Sequence, residues 1–278
     1  MASADSQVIL ITGCSSGFGR QITTEALGRG LRVIATARRL EAIDDLRAKG
    51  AKTLALDITA DQASLQHFVG EAIKVFGHVD ILVNNAGYLQ SGAMEEVSPE
   101  ELRGVFETNV FGTATFTNVF LPHFRERQTG LIVNISSMGG YFAYPGAGAY
   151  GATKAALDYI SRMWAKELAP FNVRSVSINP GLFRTSGAAA MKSSSKEIDC
   201  YEEIHAGLKQ YRANSGKEPG DVKKAAIKML DFITSDQELP SRLALGEDAV
   251  ALLDGEIQRE VKDFETWGQF GKGTDVDA

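Results

Sequence analysis

Val8-Ile9-Leu10-Ile11-Thr12-Gly13-Cys14-Ser15-Ser16-Gly17-Phe18-Gly19 is the stretch that decides the fold. An apolar run ends at a glycine, and a helical pattern begins at Arg20. Strand, glycine-rich loop and helix in this order are typical of a dinucleotide-binding unit. Gly13 would form the turn, Gly17 would let the backbone approach a pyrophosphate, and Gly19 would let the helix pack on the strand. The alternative is a glycine loop without a function.

Apolar runs rich in β-branched residues alternate with helical patterns along the rest of the chain. This rhythm predicts an α/β protein, a single-domain Rossmann fold with a doubly wound parallel seven-stranded sheet and helices on both faces. One domain would span residues 1–278, with a substrate loop and helical insertion at 186–240. We predict strands at 8–11, 32–37, 53–57, 80–84, 130–136, 173–179 and 243–245. We predict long helices at 61–76, 98–125, 147–168 and 248–267.

Composition argues against several classes of function. The 278 residues are 44% hydrophobic with a net charge of −6 and no basic stripe, which argues against nucleic acid and an anionic membrane surface. We expect no signal peptide in the first residues and no membrane span. Only Cys14 and Cys200 occur, so we expect a reducing compartment and a cytoplasmic location. The four histidines are scattered, so we predict no metal.

The end of the second predicted strand bears on the cofactor. Dinucleotide sites for NAD place an acidic side chain there to receive the ribose 2′-hydroxyl. This chain has Ala37-Arg38-Arg39 instead. An arginine pairs bidentately with a phosphate, so we predict NADP(H), with Arg38 as the main contact. The alternative is that both arginines begin a solvated helix.

Tyr150-Gly151-Ala152-Thr153-Lys154 carries the acid–base chemistry. Residues four apart on a helix are neighbours, and a nearby positive charge lowers the pKa of a phenol from its usual value of about 10. Ser137 follows the buried strand predicted at 130–136, so its hydroxyl is placed to point at the same spot. Taken alone, a Tyr and a Lys at this spacing usually form a solvated surface pair.

Further polar residues follow the other predicted strands, where ligands bind in sheets of this kind. Asp57 would either cap the helix that begins near Asp61 or reach an adenine. Asn84 and Asn85 would bind a ligand or form a local turn. Asn109 lies within an apolar helical pattern, and a buried amide needs partners. It is therefore a structural hydrogen-bonding residue or a site residue.

Five motifs stand together: Thr12-Gly13-x-x-x-Gly17-x-Gly19, Asn84-Asn85-Ala86-Gly87, Asn109, Ser137 and Tyr150-x-x-x-Lys154. In this order they resemble the short-chain dehydrogenase/reductase family over roughly residues 8–267. Within that family the chain is most similar to the 17β-hydroxysteroid-dehydrogenase-like branch. The end of the second strand and the run Pro240-Ser241-Arg242-Leu243-Ala244-Leu245-Gly246 carry the closer resemblance.

The resemblance implies a catalytic group of Asn109, Ser137, Tyr150 and Lys154. Tyr150 would be the general acid in ketone reduction, or the base in alcohol oxidation. Lys154 would lower the pKa of Tyr150 and hold the nicotinamide ribose. Ser137 would hydrogen-bond the substrate oxygen, and Asn109 would anchor a proton-relaying water. The implied cofactor-binding residues are Gly13, Ser15, Ser16, Gly17, Phe18, Gly19, Arg38, Asp57, Asn84, Ala86, Gly87, Tyr150, Lys154, Pro180, Gly181 and Thr185.

The implied activity is an NADPH-dependent carbonyl reductase or alcohol dehydrogenase acting on a small-to-medium apolar ketone or alcohol. Steroid-like, polyketide-like and aromatic carbonyls are the expected substrates. The predicted substrate contacts are Ser137, Tyr144, Tyr150 and Phe183. The side chains expected at the rim of the pocket, or alternatively in the core, are Tyr88, Tyr141, Phe142, Leu182 and Met191.

Two other functions compete with this one: an NADP-binding sensor or scaffold without turnover, and a cyclase or lyase that reuses the site. The resemblance also implies a homodimer or homotetramer, assembled through the long helices predicted at 100–125 and 147–169.

Overall fold

The computed structural model describes residues 7–235 and 237–276. The expectation about a signal peptide rests mainly on residues 1–6, which lie outside the described residues. The strands are β1 (Val8–Ile11), β2 (Arg32–Ala37), β3 (Lys52–Ala55), β4 (Ile81–Asn84), β5 (Gln90–Ser91), β6 (Gly130–Ile135), β7 (Val173–Pro180), β8 (Lys192–Ser193) and β9 (Arg242–Leu245). The α-helices are α1 (Gly17–Gly28), α2 (Asp44–Ala48), α3 (Gln62–Phe76), α4 (Pro99–Phe106), α5 (Thr113–Arg127), α6 (Gly148–Glu167), α7 (Glu202–Ala213), α8 (Val222–Ile233) and α9 (Glu247–Trp267).

Seven strands form one parallel sheet in the order β3-β2-β1-β4-β6-β7-β9. The chain runs outward from β1 to β3, then returns to the other side of β1 and runs outward again through β4. Parallel neighbours need crossover connections, and here helices supply them on both faces. The predicted doubly wound seven-stranded Rossmann fold is confirmed.

Each face of the sheet carries its own apolar core. Successive side chains of a strand point to opposite faces, so Ile9 and Ile11 pack into one core and Val8 and Leu10 into the other. The first core receives α1, α2 and α8, and the second receives α3, α5 and α6. Burial on both faces explains why β1 is an unbroken apolar run.

The helix predicted over 98–125 is interrupted. It begins as expected, because the Ser98 hydroxyl accepts a hydrogen bond from the Glu101 amide and the Glu101 carboxylate accepts one from the Ser98 amide. However, α4 ends at Phe106, Glu107–Gly112 form a π-helical turn, and α5 begins at Thr113. Such turns occur frequently at functional sites, and this one contains Asn109.

The segment at 186–240 divides into two parts. Its first part contains β8, which pairs with β5, followed by α7. Its second part is α8, which packs against α1 and buries Ala226, Met229 and Leu230 in the core. The helix α8 is therefore part of the layer that covers the sheet. Only the first part of the segment, which ends before α8, is an addition to that layer.

Candidate active site

A cavity of about 780 Å³ runs along the carboxyl ends of the central strands. The point where the strand order reverses lies between β1 and β4, and ligands bind at such points in doubly wound sheets. Arg38 and Asp57 line one part of the cavity, and Ser137, Tyr150 and Lys154 line another. The cavity therefore joins the two groups of residues that the sequence singles out.

The glycine-rich loop forms one wall of this cavity. Gly13 and Gly17 have φ angles of 70° and 55°, a region that favours glycine. A side chain on Gly13 would lie 2.8 Å from the Ala86 Cα atom. The Ser16 side chain does not cap α1. The N–H groups of the first helical turn are therefore not bonded to the Ser16 hydroxyl. These groups and the positive end of the helix dipole favour an anion.

A hydrogen-bonded clamp holds the glycine loop against the turn that follows β4. The Thr12 hydroxyl accepts hydrogen bonds from the amides of Asn85 and Ala86, at 2.9 and 3.0 Å. The Asn85 side-chain amide donates to the carbonyls of Thr12 and Gly13, at 2.8 and 3.0 Å. Asn85 therefore does more than form a local turn. Thr12 directly precedes Gly13 in the motif, but its role in holding the loop was not predicted.

Arg38 and Asp57 lie at the far end of the cavity, and both are exposed. Hydrogen bonds from the hydroxyl and amide of Thr59 hold the pKa of Asp57 below its usual range, and the Arg38 charge adds to this. Asp57 does not cap α3, because Asp61 accepts the capping hydrogen bond from Ser64. The capping alternative for Asp57 is therefore wrong, and its contact with an adenine stays a prediction.

Tyr150, Ser137 and Lys154 come together at the other end. Tyr150 lies in the first turn of α6, and the Lys154 ammonium lies 5.6 Å from the centre of its ring. The Lys154 ammonium donates to the Ile135 carbonyl at the end of β6, at 2.8 Å. The Ser136 hydroxyl instead donates to the Lys154 carbonyl, at 3.3 Å. This contact leaves Ser137 as the serine that faces Tyr150.

Burial sets the protonation of this group. It raises the pKa of Tyr150 to about 12, and a hydrogen bond from Ser137 lowers that value only in part. Burial also lowers the pKa of Lys154 to about 8, opposed by the negative charge of Asp158. The expectation that the Tyr150 pKa would be lowered is therefore wrong for this structure. At neutral pH the phenol is protonated and the amine is mostly charged.

Asn109 is held tightly within the π-helical turn. Its side-chain oxygen accepts from the Tyr88 amide at 3.0 Å, and its nitrogen donates to the Tyr88 carbonyl and the Thr153 hydroxyl, at 2.9 and 3.1 Å. A side chain on Gly87 would lie 2.9 Å from the Asn109 oxygen and 3.8 Å from the Lys154 ammonium. Asn109 is therefore buried beside the site and ties its walls together.

Several predicted site residues do not line the cavity. Asn84 is buried, and its amide donates to Thr117 and Asn134 at 2.8 and 2.9 Å. Gly19 is buried, and a side chain there would lie 2.5 Å from the Gly13 carbonyl, so its role is packing. Tyr144 is 57% exposed on the surface. The predicted cofactor and substrate residues that do line the cavity are Gly13, Ser15, Ser16, Gly17, Phe18, Arg38, Asp57, Ala86, Gly87, Ser137, Tyr150, Lys154, Pro180, Gly181, Phe183 and Thr185.

The aromatic rim is also only partly as predicted. Tyr88, Leu182 and Phe183 line the cavity, whereas Tyr141, Phe142 and Met191 do not. Sequence reasoning missed Tyr211 and Lys192, which line it from α7 and β8. The Lys192 ammonium lies 3.9 Å from the centre of the Tyr88 ring. No local pattern marks these two residues, because both lie more than 100 residues beyond Tyr88 in the chain.

Within the described residues there is no group of three or more His, Cys, Asp or Glu side chains placed to hold a metal ion. Among the same residues, none of the helices combines the length and the apolar character needed to cross a membrane.

Fold and cavity together define a dinucleotide-binding protein of the Rossmann class. A model of the short chain dehydrogenase family matches residues 7–196, and the chain belongs to the short-chain dehydrogenase/reductase family. A short-chain dehydrogenase from Streptomyces avermitilis of known structure is 42% identical, with a TM-score of 0.90 over 99% of this chain and 100% of that one.

Two further relatives agree with this assignment. The oxidoreductase YusZ of Bacillus subtilis is 32% identical, over 87% of this chain and 89% of its own length. The 3-ketoacyl-(acyl-carrier-protein) reductase from Brucella melitensis, solved with NADH, is 28% identical, with a TM-score of 0.74 over 87% of this chain and 98% of that one. The protein is thus an oxidoreductase of this family, and a nicotinamide cofactor is supported.

Proposed function

We propose that the protein is an NADPH-dependent carbonyl reductase that acts on small-to-medium apolar ketones or secondary alcohols. The observation that carries the proposal is a single cavity with Arg38 towards one end and Ser137, Tyr150 and Lys154 together at the other. The first group suits a cofactor phosphate, and the second suits proton transfer to a carbonyl oxygen.

The residues present fit a nicotinamide dinucleotide. The uncapped start of α1 and the left-handed glycines of its loop provide N–H groups for a pyrophosphate. Asp57 and Ala86 would hold the adenosine, and Pro180, Gly181 and Thr185 would hold the carboxamide. A bound dihydronicotinamide would supply hydride to the carbonyl carbon.

The protein itself supplies the proton and stabilises charge on oxygen. Tyr150 is protonated at neutral pH, because its pKa is raised to about 12, and this is the form that donates to a carbonyl. Ser137 would donate a second hydrogen bond, and such donors contribute about 2.7–4 kcal/mol each where water is excluded. Lys154 would hold the nicotinamide ribose and supply positive charge, and Asn109 would anchor a relaying water.

The apolar part of the lining supports the proposed substrate class. Leu182 and Phe183 line the cavity, and Phe183 packs edge-on against Phe18 with ring centres 5.3 Å apart. The test is NADPH oxidation by purified protein against a panel of steroid-like, polyketide-like and aromatic ketones. Turnover of at least one of these, with the alcohol identified as the product, is expected. Tight NADPH binding without any turnover would favour a sensor, and a rearranged product without NADPH oxidation would favour a cyclase or lyase.

The preference for NADP(H) is proposed from Arg38. Arg38 is exposed and lines the cavity, and its positive charge is close enough to Asp57 to act on that carboxyl. We expect Arg38→Ala to raise the KM for NADPH about 10- to 100-fold, the value of a charge-assisted hydrogen bond, and to leave the KM for NADH within about twofold. Arg39→Ala is the matched control, because Arg39 is exposed but does not line the cavity. An equal loss for both cofactors would contradict the assignment.

We also propose a homo-oligomer in the cytoplasm. Phe111 and Tyr159 are 54% and 59% exposed on the two helical segments through which assembly is predicted. These two exposed aromatic side chains support the proposal, because association surfaces are built from exposed apolar side chains. Light scattering should give two or four times the chain mass of 29.9 kDa, and a monomer at micromolar concentration would rule this out. Cys14 and Cys200 are both free, which suits a reducing compartment.

A further inference from the structure

Asp158 is a fully buried carboxylate behind the reaction centre. It lies on α6, four residues beyond Lys154 and eight beyond Tyr150, so the three side chains follow one face of the helix. Its exposure is 0%. An unpaired carboxylate in such a place costs several kcal/mol, so its surroundings must compensate its charge.

Asn179, near the end of β7, is the direct partner of Asp158. Its side-chain nitrogen donates to the Asp158 carboxylate at 2.9 Å and to the main-chain carbonyl of Ser137 at 3.0 Å. Both acceptors face the same NH₂ group, so a flipped amide would put its oxygen against two acceptors. The Asp158 carboxylate thus fixes the orientation of the amide that holds Ser137.

Two positive charges lie near this carboxylate. Lys154 stands one turn away on α6, and the Asp158 charge favours its protonated form against the effect of burial. Arg242, on β9, has its Nε atom 3.5 Å from the carboxylate, close enough for attraction although it makes no hydrogen bond. The second Asp158 oxygen has no hydrogen-bond partner among the described residues.

Arg242 is held in turn from the other side. Its guanidinium lies 5.0 Å from the centre of the Tyr141 ring, and the Tyr141 hydroxyl donates to Glu260 on α9 at 2.7 Å. The titratable groups around the network are therefore Tyr150 and Lys154 on α6, Arg242 on β9, Tyr141 after β6, and Glu256 and Glu260 on α9.

We propose that Asp158 is a positioning residue for the reaction: it holds Ser137 in place through Asn179 and places a negative charge one helical turn from Lys154. The inference rests on the proposed function, because Ser137 and Lys154 act there on the substrate and cofactor. Asp158 itself does not line the cavity and touches neither.

Two substitutions separate the two effects. Asp158→Asn keeps an oxygen that accepts from Asn179 and removes the charge, whereas Asp158→Ala removes both. Glu260→Gln is the control, because it changes the outer end of the same network without reaching the Asp158 carboxylate.

The first readout is the titration of Lys154, followed by NMR of lysine labelled with ¹³C at the ε-methylene carbon in the folded protein, which needs no turnover. In Asp158→Asn the midpoint should move further below about 8, by roughly one pH unit, and in Glu260→Gln it should stay. An unchanged midpoint in Asp158→Asn would overturn the charge effect, whether or not the protein reduces carbonyls.

The second readout is the kinetics of carbonyl reduction. In Asp158→Asn, the alkaline limb of the plot of kcat against pH should move to lower pH by the same amount as the Lys154 midpoint. Asp158→Ala should lower kcat by a further factor of about 10 because Ser137 is displaced, with little change in the KM for NADPH. Equal kcat values for the two variants would overturn the positioning effect. If Asp158→Ala does not fold, Asn179→Ala, which removes the bridge and keeps the charge, takes its place.

Discussion

The Tyr150→Phe variant is expected to lose carbonyl reduction by about 10²- to 10⁴-fold in kcat, the usual contribution of a general acid, and to keep NADPH binding within about tenfold of the wild type, the value of one hydrogen bond. The substitution removes one hydroxyl and keeps the ring. The group that it removes is a phenol protonated at neutral pH, with a pKa of about 12. Fluorescence titration with NADPH and single-turnover kinetics separate binding from chemistry.

The matched control is Tyr144→Phe. Tyr144 is 57% exposed and does not line the cavity, although the sequence suggested that it contacts the substrate. Its variant should reduce carbonyls at the wild-type rate within about twofold. If Tyr150→Phe keeps its activity, or if Tyr144→Phe loses as much, the proton donor has been assigned to the wrong residue.

The Lys154→Met variant is expected to lose at least about 100-fold in kcat, because the positive charge beside Tyr150 and the contact proposed for the nicotinamide ribose both disappear. At neutral pH, however, the Lys154→Met variant should be more stable than the wild type. Lys154 is only 5% exposed, and burying a charged amine is unfavourable. Methionine has a similar length and carries no charge.

The pH dependence of stability checks this argument. The Lys154 pKa falls from 10.5 to about 8 on folding, so between these values the unfolded chain holds the proton more strongly. The wild type therefore gains stability as pH rises through this window and loses it as pH falls towards 8. The free energy of unfolding of the wild type, minus that of Lys154→Met, should rise by about 2 kcal/mol between pH 7.5 and pH 10.

Urea unfolding at the two pH values measures this difference. The raised pKa of Tyr150 acts in the opposite sense above pH 10, but Tyr150 is present in both proteins and cancels. A difference that stays constant with pH would mean that Lys154 has an ordinary pKa in the folded chain. The account of how burial sets protonation at this site would then be wrong.

Sequence alone determined the features that depend on local signals. The run from Val8 to Ile11, the glycines after it and the following helix are neighbours in the chain, so their pattern specifies strand, phosphate loop and helix together. Tyr150 and Lys154 share a helix face by spacing alone. The alternation of strands and helices predicts a parallel sheet, helices on both of its faces, and a cavity at the carboxyl ends of its strands.

Only the tertiary structure decided what depends on distant groups. The pKa of Tyr150 moves up because burial outweighs the hydrogen bond from Ser137, and burial is a property of everything packed around the ring. Tyr211 and Lys192 line the cavity because α7 and β8 pack beside it, whereas Tyr144 lies exposed on the surface. Asp158, Asn179 and Arg242 meet from one helix and two strands, and no periodicity in the sequence records such a meeting.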